Sequence, residues 1–255
     1  MMSAPLQFGE TIQRYEVLGS TQDAARQFAA SGSPPGTVVV AWLQTHGRGR
    51  RGRTWHAPPG ANVCLTAIGA SVPAAAAWQL ALVAGLAVCE AVRKIAPSLD
   101  ARVRFPNDVT VNGRKLCGVL IETLPASAPS AVIPLIGVGI NVRAAPLPAR
   151  LAARAVSLEQ ATDGVCRDIA VVEAAVLRQL SLCWDEWALC GFEATLVRWK
   201  ALADPAAARA FRLDPDGPPV VCRVCDLRPD GTLVLETPQG GVHELPGTSV
   251  VLGED

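Results

Sequence analysis

The sequence predicts an α+β fold in which a mixed β-sheet domain, residues 1–204, is followed by a small all-β module, residues 205–255. Three observations predict it. Runs of β-branched residues recur between segments of helical period. An Asn-Gly pair at 112–113 joins two strand-like runs. After residue 204 the helical segments stop, and short strand-like runs follow, separated by Pro-Asp-Gly and Gly-Gly.

The elements follow in order. Residues 12–20 ("IQRYEVLGS") are a strand that runs into Ser20 and Thr21. Residues 20–32 ("STQDAARQFAASG") form a helix. Ser20 or Thr21 offers an oxygen to its first free amides, Asp23 complements the positive end of its dipole, and Gly32 stops it. Residues 36–45 ("GTVVVAWLQT") are a buried strand that leads into "GRGRRGR" at 47–53. "NVCLTAIGA" (62–70) is the next strand, and a long helix is expected from Pro73 to Lys94. That helix has the length of a membrane span, but it is rich in alanine and holds Gln79 and Glu90, so it is predicted to be buried in protein rather than in lipid.

"ARVRFPNDVTVNGRKLCGVLIET" (101–123) is the most informative stretch. Asn107 and Asp108 are expected to end a strand. Asn112-Gly113 suits a type I′ hairpin, whose two central residues need positive φ. Simple alternation then puts Lys115, Cys117, Val119 and Ile121 on one face of the second strand. "AVIPLIGVGINV" (131–142) is a further strand, and residues 168–190 are helical. "VVCRV" (220–224), "TLVLET" (232–237), "VHELP" (242–246) and "SVVL" (249–252) predict a small antiparallel barrel.

Bulk properties narrow the function. The 255 residues carry 23 basic and 23 acidic side chains, and this balance argues against a generic nucleic-acid binder. The eight cysteines are scattered among apolar neighbours and read as reduced core residues. "CRVC" (222–225) is a single C-x-x-C, and a structural zinc site would need a second pair of ligands. The start, "MMSAPLQFGETIQR", lacks the apolar run of a signal peptide, so a cytoplasmic location is expected.

Against that neutral background, four arginines and three glycines stand together at 47–53. Fixing a backbone residue costs roughly 1–2 kcal/mol, and glycine costs most. The loop should therefore be mobile until a polyanion offsets that cost through bidentate, charge-assisted hydrogen bonds. It lacks the G-x-x-x-x-G-K-[ST] order of a P-loop. From the loop alone, a solvated basic loop, an RNA contact and a nucleotide site all stay open. Trp55 could stack on a base or simply pack. Asp108 could cap a turn or help hold magnesium. Lys115 could snorkel to water or stand as a partly desolvated cation aimed at reacting oxygens.

In this order, "GRGRRGR", "RFPNDVTVNGRKLCGVLIE" and "GVGIN" resemble the biotin–protein ligases, from about residue 12 to the end of the chain. The resemblance implies a biotin/lipoate ligase-like catalytic domain with a C-terminal SH3-like β-barrel. It implies that ATP and biotin are substrates with Mg2+, and that biotin is activated as biotinyl-5′-AMP. The acceptor it implies is a lysine of the biotin carboxyl carrier protein of acetyl-CoA carboxylase or a related carboxylase.

Residue by residue, it places Ser20, Thr21 and Gln22 at the biotin ureido ring and Gln44 against biotin. Gly47, Arg48, Gly49 and Arg50 close over biotin and phosphate. Arg53 and Trp55 meet the nucleotide, with Trp55 near the adenine. Asn107, Asp108 and Asn141 lie at the nucleotide, and Asp108 is the metal candidate. Lys115 is the catalytic lysine, with Arg48 beside it in charge neutralisation. Gly118 admits the ligand to the backbone.

Gln22 stands where the family has Asn, and "RFPND" replaces its Lys-Trp-Pro-Asn-Asp; His46 has no assigned role. The N-terminus is expected to be too short for a DNA-binding arm. No DNA or membrane partner is expected; the resemblance leaves a homodimer open, for which residues 131–142 could serve as the pairing edge. A lipoate–protein ligase or octanoyltransferase is the nearest rival, and an RNA-binding module using the arginine loop is the rival from another class.

Overall fold

The computed structural model describes residues 5–166, 168–204, 208–214 and 217–247. Its centre is a mixed sheet of eight strands. They are β1 (Ile12–Leu18), β2 (Val38–Gln44), β3 (Asn62–Ile68), β4 (Val72–Pro73), β5 (Ala101–Arg104), β6 (Asp108–Val111), β7 (Arg114–Pro125) and β8 (Ala131–Asn141). Their order is β1-β2-β3-β8-β7-β6-β5, with the short β4 paired to β8. Only β1 and β2 run parallel; the other pairs are antiparallel.

The two faces of the sheet are used differently. One packs against α2 (Leu80–Ile95), α5 (Ile169–Cys190) and α6 (Phe192–Leu202), with the one-turn helices α3 (Ala149–Ala152) and α4 (Leu158–Ala161) between them in sequence, and strand residues such as Val63, Val119, Ile136 and Val138 join their buried cluster. The helix that could pass for a membrane span is thus a core helix; eleven of its sixteen residues are buried, which explains a hydrophobic pattern with no polar stripe. It begins at Leu80 rather than Pro73, because Ala74–Gln79 wind as a tighter 3₁₀ segment after the strand pairing of Pro73. On the opposite face α1 (Thr21–Ala30) covers Val39, Ile68 and Leu135. The rest of that face is the floor of an open cavity.

Ser20 caps α1, accepting from the Gln22 amide, and Gly32 follows in the left-handed region at φ 83°. Asn112 and Gly113 have φ 50° and 72° in the β6–β7 turn, as a type I′ hairpin requires. Asp108 opens β6 instead of ending a strand, and Asn107 sits in the turn before it.

Two further expectations fail in this sheet. Lys115 does not share a face with Cys117 and Val119. Val109 pairs with Cys117 while Thr110 pairs with Lys115, so Leu116 is an extra residue in a β-bulge. The bulge shifts the alternation by one. Cys117 and Val119 enter the core, and Lys115 turns to the cavity face with Gly118. Residues 131–142 offer no free edge for dimer pairing, because β8 is hydrogen-bonded on both sides, to β3 and β7.

The last strands, β9 (Ala208–Arg212), β10 (Pro219–Leu227), β11 (Thr232–Glu236) and β12 (Val242–Pro246), form an antiparallel sheet in the order β12-β11-β10-β9. Among the described residues β12 and β9 do not pair, so the expected barrel is seen as a four-stranded sheet. The strand expected at 249–252 and residues 205–207 at the predicted domain boundary lie outside the described residues. Phe211, Cys222, Leu227, Leu233 and Leu235 join the same buried cluster as the helix layer. Cys222 and Cys225 are free, one buried and one exposed, so the C-x-x-C pair does not converge on a metal.

Leu116 is fully buried at the bulge. Leu116→Ala should destabilise the chain by about 2–5 kcal/mol, read from urea unfolding.

Candidate active site

The cavity on the open sheet face measures about 1090 Å³. Its polar end is built at the start of α1. Gln44 Oε1 accepts both the Thr21 backbone N–H, at 2.8 Å, and the Thr21 hydroxyl, at 3.1 Å. Thr66 donates its hydroxyl to Thr21 Oγ1 at 2.8 Å. With its oxygen taken, Gln44 has only amide N–H groups left to offer a ligand. Gln22 is committed elsewhere. Its Nε2 donates to the carbonyls of Leu120 (2.9 Å) and Leu135 (3.4 Å), and a β-carbon on Gly137 would collide with it. The extra methylene over Asn is what lets residue 22 reach the sheet backbone. Its Oε1 is buried and has no partner.

The floor is made of glycines. A β-carbon on Gly139 would overlap the Trp55 indole, and one on Gly118 would press against both Trp55 and Lys115 Nζ. Trp55, expected near a base, therefore lies against the strands themselves, 5.8 Å from Lys115 Nζ. Its Nε1 is buried, with the Cys64 thiol as its polar neighbour. Cys64 lies beneath it. Burial pushes the Cys64 thiol up to about 12, against the pull of Gln44 and Trp55, so it is an inert wall.

The arginine run folds as a hairpin. Trp55 N–H donates to Gly47 C=O at 2.8 Å, Gly49 N–H donates to Arg53 C=O at 2.7 Å, and Arg48 bridges Thr54. Gly47 is required at the neck, since a β-carbon would strike the Trp55 carbonyl. The arginines divide their work. Arg48, expected beside the catalytic lysine, is bound 2.9 Å from both Asp23 and Glu122. These two carboxylates are its nearest counter-charges, so it ties the hairpin to α1 and β7. Arg50 turns inward and donates to Asn107 Oδ1 at 3.2 Å. Burial, with Arg51 beside it, pulls its pKa below the usual value. Arg53 lines the cavity near the hairpin tip. His46 lies outside, its Nδ1 3.0 Å from Thr45 Oγ1.

Asp108 is the buried centre of charge. Its Oδ1 is 2.6 Å from Lys115 Nζ, and its Oδ2 meets Arg104 at 3.1 Å and Arg209. Burial alone would push this carboxyl up, but Lys115, Arg209 and Arg104 together outweigh burial and hold it at about 2. Asn107 is anchored by Nδ2 to the Val119 carbonyl at 2.6 Å. Asn141, expected at the nucleotide, works on the lysine's backbone. Its Nδ2 reaches the carbonyls of Lys115 (3.5 Å) and Val156 (3.3 Å), while its Oδ1 accepts from Asn62 at 2.9 Å.

Asp108 does not fit a metal ligand. Both of its oxygens face side-chain cations, and among the described residues no group of three or more His, Cys, Asp or Glu side chains could hold a metal ion. Magnesium that comes with a triphosphate would be held by phosphate oxygens rather than by a protein cage.

Sequence reasoning missed three groups of cavity residues. Gly137 and Gly139 are legible in hindsight as the glycines of "GVGIN". Leu147, Arg150, Leu151 and Arg154 form a wall whose Arg154 carbonyl accepts the Lys115 N–H at 2.7 Å. Two arginines four apart, Arg150 and Arg154, in the segment that follows β8 were the available signal. Arg209 arrives from the second sheet and had no local signal.

Cations gathered beside a slot with a hydrogen-bonding end suit an enzyme that brings a carboxylate and a nucleotide together, and the class these features define is the ligases. Comparison with known proteins agrees. The biotin/lipoate A/B protein ligase family matches residues 15–141. The chain is 31% identical to the bifunctional ligase/repressor BirA of Bacillus subtilis over 96% of this chain and 75% of that protein. It is 40% identical to the biotin–[acetyl-CoA-carboxylase] ligase of Mycobacterium tuberculosis over 50% of this chain and 48% of that one. The fold matches a biotin protein ligase from Aquifex aeolicus solved with biotin and ATP, with a TM-score of 0.77 at 24% identity, covering 96% of this chain and 100% of that one. The chain belongs to the biotin/lipoate A/B protein ligase family.

Two outcomes follow from this geometry. Asp108→Asn strands three cations without a full counter-charge and should cost about 3–5 kcal/mol in urea unfolding at pH 7. Because the native carboxyl is depressed from 3.8 to about 2, its contribution is complete above the unfolded value and is lost as pH falls through the native one. The gap between wild type and variant should therefore persist at pH 5 and close toward pH 2. Gly139→Ala should displace Trp55, raise KM for biotin about tenfold or more and cost about 1–3 kcal/mol of stability, which steady-state kinetics beside urea unfolding would check.

Proposed function

We propose that this chain activates biotin with ATP, forming biotinyl-5′-AMP and pyrophosphate. It then transfers biotin to a lysine of a biotin carboxyl carrier protein of acetyl-CoA carboxylase or a related carboxylase. The observation that carries the reading is the convergence of Lys115, Arg50 and Asn107 at one end of a slot whose other end is built by Ser20, Thr21 and Gln44. The Mycobacterium tuberculosis relative is a biotin–[acetyl-CoA-carboxylase] ligase, which supports the choice of acid.

In this reading, Gln44 donates an amide N–H to the ureido oxygen, and the Ser20 and Thr21 hydroxyls share the ring's remaining polar atoms. The valeryl chain runs from that end toward Lys115, along the Gln22 and Trp55 side chains that cover Gly137 and Gly139. Its carboxylate oxygen attacks the α-phosphorus of ATP, and pyrophosphate leaves. Two anions must approach each other, and Lys115 and Arg50 offset their repulsion. Arg53, Arg150 and Arg154 take the nucleotide's outer charge, and Trp55 offers an edge to the base. Magnesium bound to the triphosphate would offset part of its charge without a ligand from this chain. The hairpin keeps water from the mixed anhydride. A deprotonated carrier lysine then attacks the acyl carbon, forming the amide and releasing AMP.

The test is biotin-dependent exchange of labelled pyrophosphate into ATP. Exchange is expected with biotin and not with lipoate, and Lys115→Ala should lower it by about 10²–10³. Exchange driven by lipoate alone would replace biotin with the rival acid. A folded chain with no exchange under either acid would overturn the ligation reading. Limited trypsin digestion adds a second check: biotin with ATP should protect Arg50, Arg51 and Arg53 from cleavage, and equal cleavage with and without them would rule out closure of the hairpin on the adenylate.

A further inference from the structure

We propose that Arg209, on the first strand of the second sheet, is a positioning residue for adenylate formation: it holds one oxygen of Asp108 so that Lys115, bound to the other, keeps its ammonium in the cavity. This rests on the reading that Lys115 is the catalytic lysine.

Arg209 breaks the pattern of its own strand. In β9 the inward positions are 209 and 211, and Phe211 fills the core as alternation predicts. Position 209 points inward too, yet carries a guanidinium that is 8% exposed. An apolar side chain there would close the sheet against its neighbour at less cost, because a buried charge is expensive unless paired. The partner it meets is Asp108, 4% exposed and 101 residues away in sequence. A local rule broken at a cavity wall points to function rather than to folding.

Charge accounting explains what Arg209 adds. Asp108 facing Lys115 alone would make a neutral pair, with the ammonium's field spent on its carboxylate. With Arg104 and Arg209 on Oδ2, the four groups carry three positive charges against one negative. With Oδ2 held by two guanidinium groups, less of the carboxylate's charge falls on Lys115, whose ammonium faces the cavity where a polyphosphate would lie. The carboxylate is also gripped from both ends, so its Oδ1 is a fixed anchor for Lys115 Nζ at 2.6 Å. Without Arg209 the carboxylate can rotate toward the lysine and draw it down to the sheet.

The experiment is pyrophosphate exchange by the full chain between pH 3 and 9, comparing wild type with Arg209→Met, Arg209→Gln and Arg209→Lys, each checked by thermal melting. The two neutral variants should lose about 10–100-fold in kcat, the scale of a misplaced reacting group. KM for biotin should change less than about twofold, because the ureido end is remote from the cluster. Losing a neighbouring cation raises the Asp108 carboxyl, so the acid limb of the neutral variants should move to higher pH. Arg209→Lys should restore most of both. Gln keeps a donor for Asp108 and is the variant to read if Met does not fold. Folded neutral variants with wild-type kcat and pH profile would overturn the proposal. Loss of fold in both would overturn it too, by assigning Arg209 to stability alone. Absence of biotin-dependent exchange in the wild type would instead sink the reading on which the proposal rests.

Discussion

A carboxylate that is 4% exposed cannot stay ionised inside a protein by itself, and the way Asp108 is neutralised organises the whole site. Its counter-charges come from three separate places: Arg104 at the end of β5, Lys115 after the hairpin on β7, and Arg209 on β9. Each must arrive within hydrogen-bonding reach, so the turn at 105–107, the Asn112-Gly113 hairpin and the seating of the second sheet are bound to one another through a single side chain. The bulge at Leu116 belongs to the same requirement. With regular alternation, Lys115 would share the core face of Cys117 and leave Asp108 with no lysine.

The two faces of the sheet solve different problems with the same strands. On the helix side Val119, Ile136 and Val138 are buried among α2 and α5. On the other side their immediate neighbours, Gly118, Gly137 and Gly139, have no side chain at all. Period-two alternation thus reads apolar on one face and empty on the other, which makes a floor without thinning the core. What fills the depressions is supplied from outside the sheet: Gln22 from α1 over Gly137, and Trp55 from the arginine hairpin over Gly118 and Gly139.

What was legible in the sequence was local. The Ser20 cap, the Asn112-Gly113 turn and the long helix at 168–190 depend on residues within a few positions of one another, and each formed where expected. The helix of 192–202 was not read, because only Gly191, in the left-handed region at φ 81°, separates it from the helix before. Partner choice was less legible. Lys115, Asp108 and Arg50 could be picked out by type, but that Arg48 would spend its charge on Asp23 and Glu122 depends on α1 lying beside β7. The centrality of β8 was equally hidden, since its two neighbours, β3 and β7, flank it at quite different distances along the chain. Arg209 is the extreme case, because nothing within a hundred residues of it announces Asp108.

The division of labour among the hairpin arginines resolves why so many cations are tolerated in a few residues. Four guanidinium groups within seven residues repel one another, and the repulsion is strongest where water is excluded. Arg48 is removed from that account by two carboxylates on the outer rim, where exposure keeps the pairing inexpensive. Arg50 goes inward to a neutral acceptor, Asn107, and stays uncompensated apart from the more distant Asp108. Asn at 107 matters for this reason: a carboxylate there would bind Arg50 as firmly as Asp108 binds Lys115, and the inner charge would be consumed before any anion arrived. The outer arginine fixes the hairpin, and the inner one keeps its charge for a substrate. A short run of like charges is workable only because α1 and β7 supply counter-ions to one side of it and withhold them from the other.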